Sequence, residues 1–195
     1  MQPDAIESRP FVVAAMAFEA TLAIVALGLG WFLRCPPLAQ IDWTGPAIGQ
    51  GLLATLPLIA GLVLITHYPV GPLKSLDHVV RELLVPLFRK VAIWQFLVIS
   101  ALAGIGEEFL FRGVLQAGIE QISGSPWLAL AVASLLFGLA HPLTVTYAVL
   151  AAAIGVYLGF LWSATGNLLV PIVTHGAYDF VALVYLTRRQ TSPDG

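Results

Sequence analysis

Read for its spacing of apolar and polar residues, the chain is a series of long apolar runs parted by short polar breaks. A spanning helix needs about 20 mostly apolar residues, and the pattern predicts about six such spans. Phe11 to Leu33 is the first. Only Glu19 interrupts it, and Arg34-Cys35-Pro36-Pro37 ends it, because proline cannot continue a helix. A polar loop, Ala39 to Pro46, leads into Ala47 to Thr66, where Pro57 predicts a kink. Tyr68-Pro69-Val70-Gly71-Pro72 is a turn. Val91 to Ile119 is the third span and Trp127 to His141, rather short, the fourth. Thr144 to Ala164 follows, with Ala151, Ala152, Ala153, Gly155 and Gly159 small enough to let a neighbouring helix approach closely. Leu168 to Leu186 is the last.

One segment has a different pattern. From Leu73 to Lys90, Leu73, Leu76, Val79, Val80, Leu83, Leu84 and Leu87 recur at helical spacing, with charged residues between them. That is the signature of an amphipathic helix lying at the membrane interface. A solvated connector fits the same residues.

Composition supports a membrane setting. Of 195 residues, 58% are hydrophobic and 10% charged, with a mean hydropathy of +0.89, against roughly 25% charged in soluble domains. The expected fold is all-α, a polytopic membrane helix bundle forming one membrane-embedded domain over 1–195. Membrane lipid is its first partner. A net charge of −2 without basic clusters gives no reason to expect nucleic acid. Cys35 is the only cysteine, so no intramolecular disulfide can form. The opening ten residues hold two acids and one base, and the apolar run after them is too long for a signal peptide. Lys74, Arg81, Arg89 and Lys90 place the 67–90 connector in the cytoplasm by the positive-inside rule. Six crossings then put Arg9 and Arg188-Arg189 on the same side, so both termini are expected to be cytoplasmic.

Against this background Gly106-Glu107-Glu108-Phe109-Leu110-Phe111-Arg112-Gly113 stands out. No charged residue lies between Val91 and Gly106, and the next after Arg112 is Glu120. Ionisable groups at membrane depth cost a few kcal/mol each on insertion scales, and they usually have a function. Glu108 and Arg112 are four apart and share a helix face, so they can form an ion pair. Glu107 points about 100° away from Glu108 and has no local cationic partner. A carboxylate in such a setting suits a general base or acid. His175 and Asp179 are also four apart on one face. They could share a ligand, either a metal or a water, or simply bond to each other. His141 closes the fourth apolar run. His67 and His78 fall in the hydrophilic connector and are expected to be solvated. Glu19 could pair with Arg112 or sit near the interface. No His-Glu-x-x-His zinc helix is present.

Straight helices rising about 1.5 Å per residue would put Glu107 towards the outer side, His141 towards the cytoplasmic side and His175 between them. Convergence therefore requires tilted or broken helices, and Gly104 and Gly106 are the expected break.

Glu107-Glu108-x-x-x-Arg112, Phe137-x-x-x-His141 and His175-x-x-x-Asp179, in this order and in separate apolar segments, resemble the three motifs of the CPBP family. That family includes the type II CAAX-processing endopeptidases and the bacteriocin-processing or immunity (Abi) proteins. The resemblance covers roughly 91–187, the catalytic half, and not the N-terminal ninety residues. The last motif position, Asn in many members, is Asp179 here. The resemblance implies an intramembrane endopeptidase acting near the terminus or membrane segment of a protein or peptide substrate, in the bacterial inner membrane. Glu107 would activate water, His141 and His175 would hold it or the oxyanion, and Asp179 would orient His175. Glu108 and Arg112 would support the site. It leaves two chemistries open. A glutamate mechanism without cofactor is preferred. Zinc held by Glu107, His141, His175 and Asp179 is the alternative. A non-catalytic immunity or scaffold protein on the same fold is a second reading, and a proton-coupled transporter a third. The transporter is disfavoured because the ionisable residues crowd into one half instead of repeating in both.

Overall fold

The computed structural model describes residues 8–88 and 91–189, and the regular structure within them is helical throughout. The helices are α1 (Ser8–Phe32), α2 (Gly45–His67), α3 (72–88), α4 (Ile93–Ser123), α5 (Pro126–Leu139), α6 (Val145–Thr165) and α7 (Leu169–Arg189). A short 3-10 turn, Pro37–Gln40, follows α1. Arg89 and Lys90, which end the expected connector, lie outside the described residues, as does the N-terminal stretch read against a signal peptide.

The boundaries follow from local chemistry. Thr44, Ser125 and Thr144 cap α2, α5 and α6, their hydroxyls accepting from the backbone N–H of Ala47, Leu128 and Tyr147. Pro46 and Pro126 then occupy first-turn positions, where a missing N–H costs nothing. Gly124 and Gly166 end α4 and α6 at φ 66° and 64°, the left-handed cap geometry that glycine adopts without strain. Pro57 sits inside an unbroken α2.

Five helices, α1, α2, α4, α6 and α7, are long and apolar enough to cross a membrane. The fourth expected span differs. α5 has 14 residues, which at about 1.5 Å each is about 21 Å, well under a hydrocarbon core of about 30 Å. The amphipathic segment does form a helix, α3. It has a π-helical middle, Val80–Leu84, and buries Leu76 and Val85 while Lys74 and Glu82 face outwards.

Polarity is distributed inside out relative to a soluble protein. Phe18, Ile24, Trp31, Leu53 and Trp94 are exposed on the outside of the bundle, whereas Ser100, Glu108, Arg112, Gln116, Thr174 and His175 are buried. In lipid, apolar side chains gain little from burial, so close backbone approach and interhelical hydrogen bonds must hold the helices together. α4 is the hub, packing against α1, α5 and α7. A Cβ at Gly104 would come within 2.8 Å of the Ile172 carbonyl oxygen and 2.9 Å of the Gly176 nitrogen. One at Gly106 would come within 2.7 Å of the Glu19 carbonyl oxygen. These glycines are therefore contact points for α7 and α1. The expected break is displaced from them: the backbone departs from α-helical bonding at Phe109–Gln116, a π-helical stretch that begins directly after the paired acids. The small residues of α6 act as expected. Gly155 sits against Ser134, and Ala152 against Gly138.

The far ends of α2 and α7 lie together, with an Arg189 guanidinium N–H donating to the Thr66 carbonyl at 2.7 Å. The C-terminal end of α7 thus lies beside the start of the 67–90 connector.

Candidate functional site

Because α4 touches α7 through Gly104 and Gly176, the next turn of α4 places Glu108 against His175. The Nδ1–H of His175 donates to Glu108 Oε1 at 2.8 Å. The same oxygen accepts from Arg112 Nη1 at 2.8 Å. Arg112 Nη2 donates to the Gly155 carbonyl on α6, also at 2.8 Å, and its guanidinium lies 4.6 Å from the centre of the Phe137 ring. Glu108 and Arg112 are fully buried. Charge-assisted bonds of this length are the stronger kind, and they tie α4, α6 and α7 into one unit. The predicted Glu108–Arg112 pair is present, and the Arg112 contact to α6 explains why a charged residue is kept in the core.

His175 Nε2 faces Asp179 Oδ2 at 3.4 Å, the spacing that one helical turn predicts. Its ring therefore lies between two carboxylates, with Glu108 the closer. Sequence reasoning gave Asp179 the orienting role; in the structure Glu108 makes the shorter contact to His175.

Glu107 and His141 meet across helices. Glu107 points away from Glu108, as the 100° step requires, and its Oε2 lies 3.7 Å from His141 Nε2. His141 Nδ1 donates to the Phe137 carbonyl at 2.7 Å, which assigns the Nδ1–H tautomer to the neutral ring. Two acceptors, a carboxylate oxygen and a bare ring nitrogen, then face each other just beyond hydrogen-bond distance. Both side chains retain some exposure, 13% for Glu107 and 22% for His141, unlike the sealed Glu108–Arg112–His175 network. The expected conflict of depth is resolved by α5. It stops at Leu139, and His141 follows in the loop, so the imidazole reaches Glu107 without a full crossing.

Phe137 was quoted only as part of a motif, yet it organises the site. Its ring lies 4.7 Å from the His141 ring, 5.8 Å from His175 and 5.0 Å from Phe111, in addition to Arg112. Tyr147, 5.9 Å from the His141 ring, was not singled out at all. Gln116 was also missed. It is fully buried on α4, and its amide donates to Gly159 O and Ser163 Oγ of α6. The Glu107-to-Arg112 segment gave no hint of it because uncharged Gln blends into an apolar run.

Glu19 does not pair with Arg112, whose donors go to Glu108 and Gly155. It lies half-buried on α1, within electrostatic reach of His175, Asp179 and Glu107.

The zinc alternative can be tested on geometry. Among the described residues no three His, Cys, Asp or Glu side chains converge as a ligand set. His175 turns one nitrogen to Glu108 and the other to Asp179, and His141 commits Nδ1 to a carbonyl. The residues as arranged do not fit a zinc centre.

Comparison with known proteins follows the same outline as the motifs. Residues 89–181 match the family described as type II CAAX prenyl endopeptidase Rce1-like. An uncharacterized protein of Bacillus subtilis (strain 168), YpbD, is 34% identical over 98 residues, which cover 49% of this chain and 47% of that protein. The match thus spans about half the length of the curated relative. No solved structure matches. The matched residues include Glu107, Glu108, Arg112, Phe137, His141, His175 and Asp179, so over residues 89–181 this chain is similar to the Rce1-like family.

Proposed function

We propose that this protein is an intramembrane endopeptidase of glutamate type. The observation that carries the reading is the approach of Glu107 Oε2 to His141 Nε2 at 3.7 Å, in a partly open site beside a sealed network. Two acceptors in that position need a donor, and water supplies one. In the proposed reaction Glu107 takes a proton from the water. The water oxygen then bonds to the peptide carbonyl carbon, and the carbonyl oxygen becomes an oxyanion. Glu107 returns the proton to the amide nitrogen, the C–N bond breaks, and a carboxylic acid and an amine leave. His141 holds the water through its bare Nε2. Asp179 and Glu108 orient His175, and Arg112 locks Glu108 to α6.

The substrate is a membrane-associated protein or peptide cut near its terminus or membrane segment. The family description supports a lipid-modified C-terminal peptide as the first one to try. In this reading the chain resides in the bacterial inner membrane with the 67–90 connector in the cytoplasm, and the Arg189–Thr66 contact puts the C-terminal basic pair on the connector's side.

The test is cleavage of a fluorogenic farnesylated CAAX peptide, and of its unprenylated form, by purified protein in detergent. Glu107→Gln should lower kcat by about 10²- to 10⁴-fold, the usual contribution of a general base. Equal cleavage by wild type and variant would remove Glu107 from its role. Cleavage should survive a chelator, and loss restored by added zinc would overturn the metal-free mechanism.

A further inference from the structure

The reaction above uses one half of the chain, yet the other half delivers a carboxylate to the same place. Glu19 is the only acid between Phe11 and Leu33. α1 lies against α4 at Gly106, one residue before Glu107, and this contact is so tight that a Cβ at Gly106 would strike the Glu19 backbone. The Glu19 side chain lies within electrostatic reach of Glu107, His175 and Asp179. One oxygen of each glutamate, Glu19 Oε2 and Glu107 Oε2, is buried without a hydrogen-bonding partner. A buried carboxylate oxygen without a protein partner calls for an explanation, and a held water is one. No cation comes with Glu19, since Arg112 is committed elsewhere.

We propose that Glu19 is a positioning residue of the hydrolytic site, the second carboxylate that holds the attacking water. Water has two O–H donors. Donating one to Glu107 and sharing the other between His141 Nε2 and Glu19, a three-centre bond, fixes both protons and leaves a lone pair aimed away from the acceptors. The substrate carbonyl would approach along that lone pair. Glu19 neither takes the proton nor bonds to the substrate; it sets the direction from which oxygen attacks. This deepens the endopeptidase reading and rests on it. It also gives the N-terminal half, outside the family match, a direct part in the reaction.

The experiment combines kinetics with a readout that needs no turnover. In the fluorogenic farnesylated CAAX assay, Glu19→Gln should lower kcat by about 10- to 100-fold, the scale of losing orientation, with KM unchanged. Glu19→Asp should recover part of the loss. Wild-type kcat in Glu19→Gln would overturn the proposal. Alongside, melting temperatures of Glu19→Gln, Glu107→Gln and the double variant form a cycle. Two acids held within electrostatic reach repel, so each single variant should melt higher, by about 2–4 °C, and the double variant should gain less than the sum. Additive shifts, or a lower melting temperature for Glu19→Gln, would overturn it by showing independent sites or a merely structural Glu19. Full activity in Glu107→Gln would sink the endopeptidase mechanism. A protein that cleaves neither peptide speaks against the substrate class, and the melting cycle then decides on Glu19 alone.

Discussion

Arg112 is held from three directions, by Glu108, Gly155 and the Phe137 ring. Its removal leaves a buried carboxylate without its cation, a loss on the order of 3–5 kcal/mol. Arg112→Ala should therefore show reduced thermal stability in detergent, measured by fluorescence melting. Arg112→Lys should restore only part of it, because a single ammonium cannot serve two acceptors and lie flat on a ring. Phe137→Ala should cost about 3–5 kcal/mol by the same melting measurement, in the range of large buried aromatics, and should abolish cleavage by freeing both imidazoles. At this scale the sequence was readable where partners sit on one helix. The Glu108–Arg112 and His175–Asp179 contacts follow from a spacing of four. The Glu108–His175 and Glu107–His141 contacts cross between helices, and no spacing encodes them. The rarity of ionisable groups in apolar runs, together with the motif resemblance, pointed to their meeting. Glu19 carried the same signal, but it was one residue without a motif.

Helix contacts rest on missing side chains. The closest atoms to a Cβ at Gly104 are backbone atoms of Ile172 and Gly176, and these cannot swing aside. Gly104→Ala should push α4 from α7, with an overpacking cost of about 1–3 kcal/mol. It should also stretch the Glu108–His175 bond one turn away. The expected result is a lower melting temperature together with loss of cleavage, whereas substitution at Gly45, where a Cβ meets nothing, should change neither. Helix ends were legible because proline, glycine and capping hydroxyls act locally. The π-helical stretch at Phe109–Gln116 was not, since α- and π-helical turns use the same residues and differ only in which carbonyl each N–H finds. For that reason Gly104 and Gly106 were expected to break the helix, when their role is to admit neighbours.

The bundle as a whole was legible as a class. Composition alone announced a lipid-dissolved helical protein, and five of the expected spans are helices of crossing length. The short fourth was readable as short, but not as the means of bringing His141 to Glu107. Cys35 offers a probe of global integrity. It is buried between α1 and α4, 8% exposed, with Sγ 3.8 Å from the Val114 carbonyl. Burial pushes its thiol above the usual range, so the reactive thiolate is scarce in the folded protein at pH 7 and grows as pH rises. Maleimide labelling should be slow below the melting transition and rise sharply through it, where the thiol regains its ordinary acidity. Fast labelling of folded protein would contradict the burial described.

A rod of about 21 Å cannot reach both faces of a bilayer about 30 Å thick in its oily part. Wherever α5 borders lipid, acyl chains must splay or headgroups must sink to meet its ends. A bilayer that thins to meet both ends of α5 dimples beside His141 and shortens the descent of solvent there. A scissile bond embedded just beneath the headgroups would meet the Glu107 carboxylate at the bottom of that dimple, without first being drawn through the full oil layer.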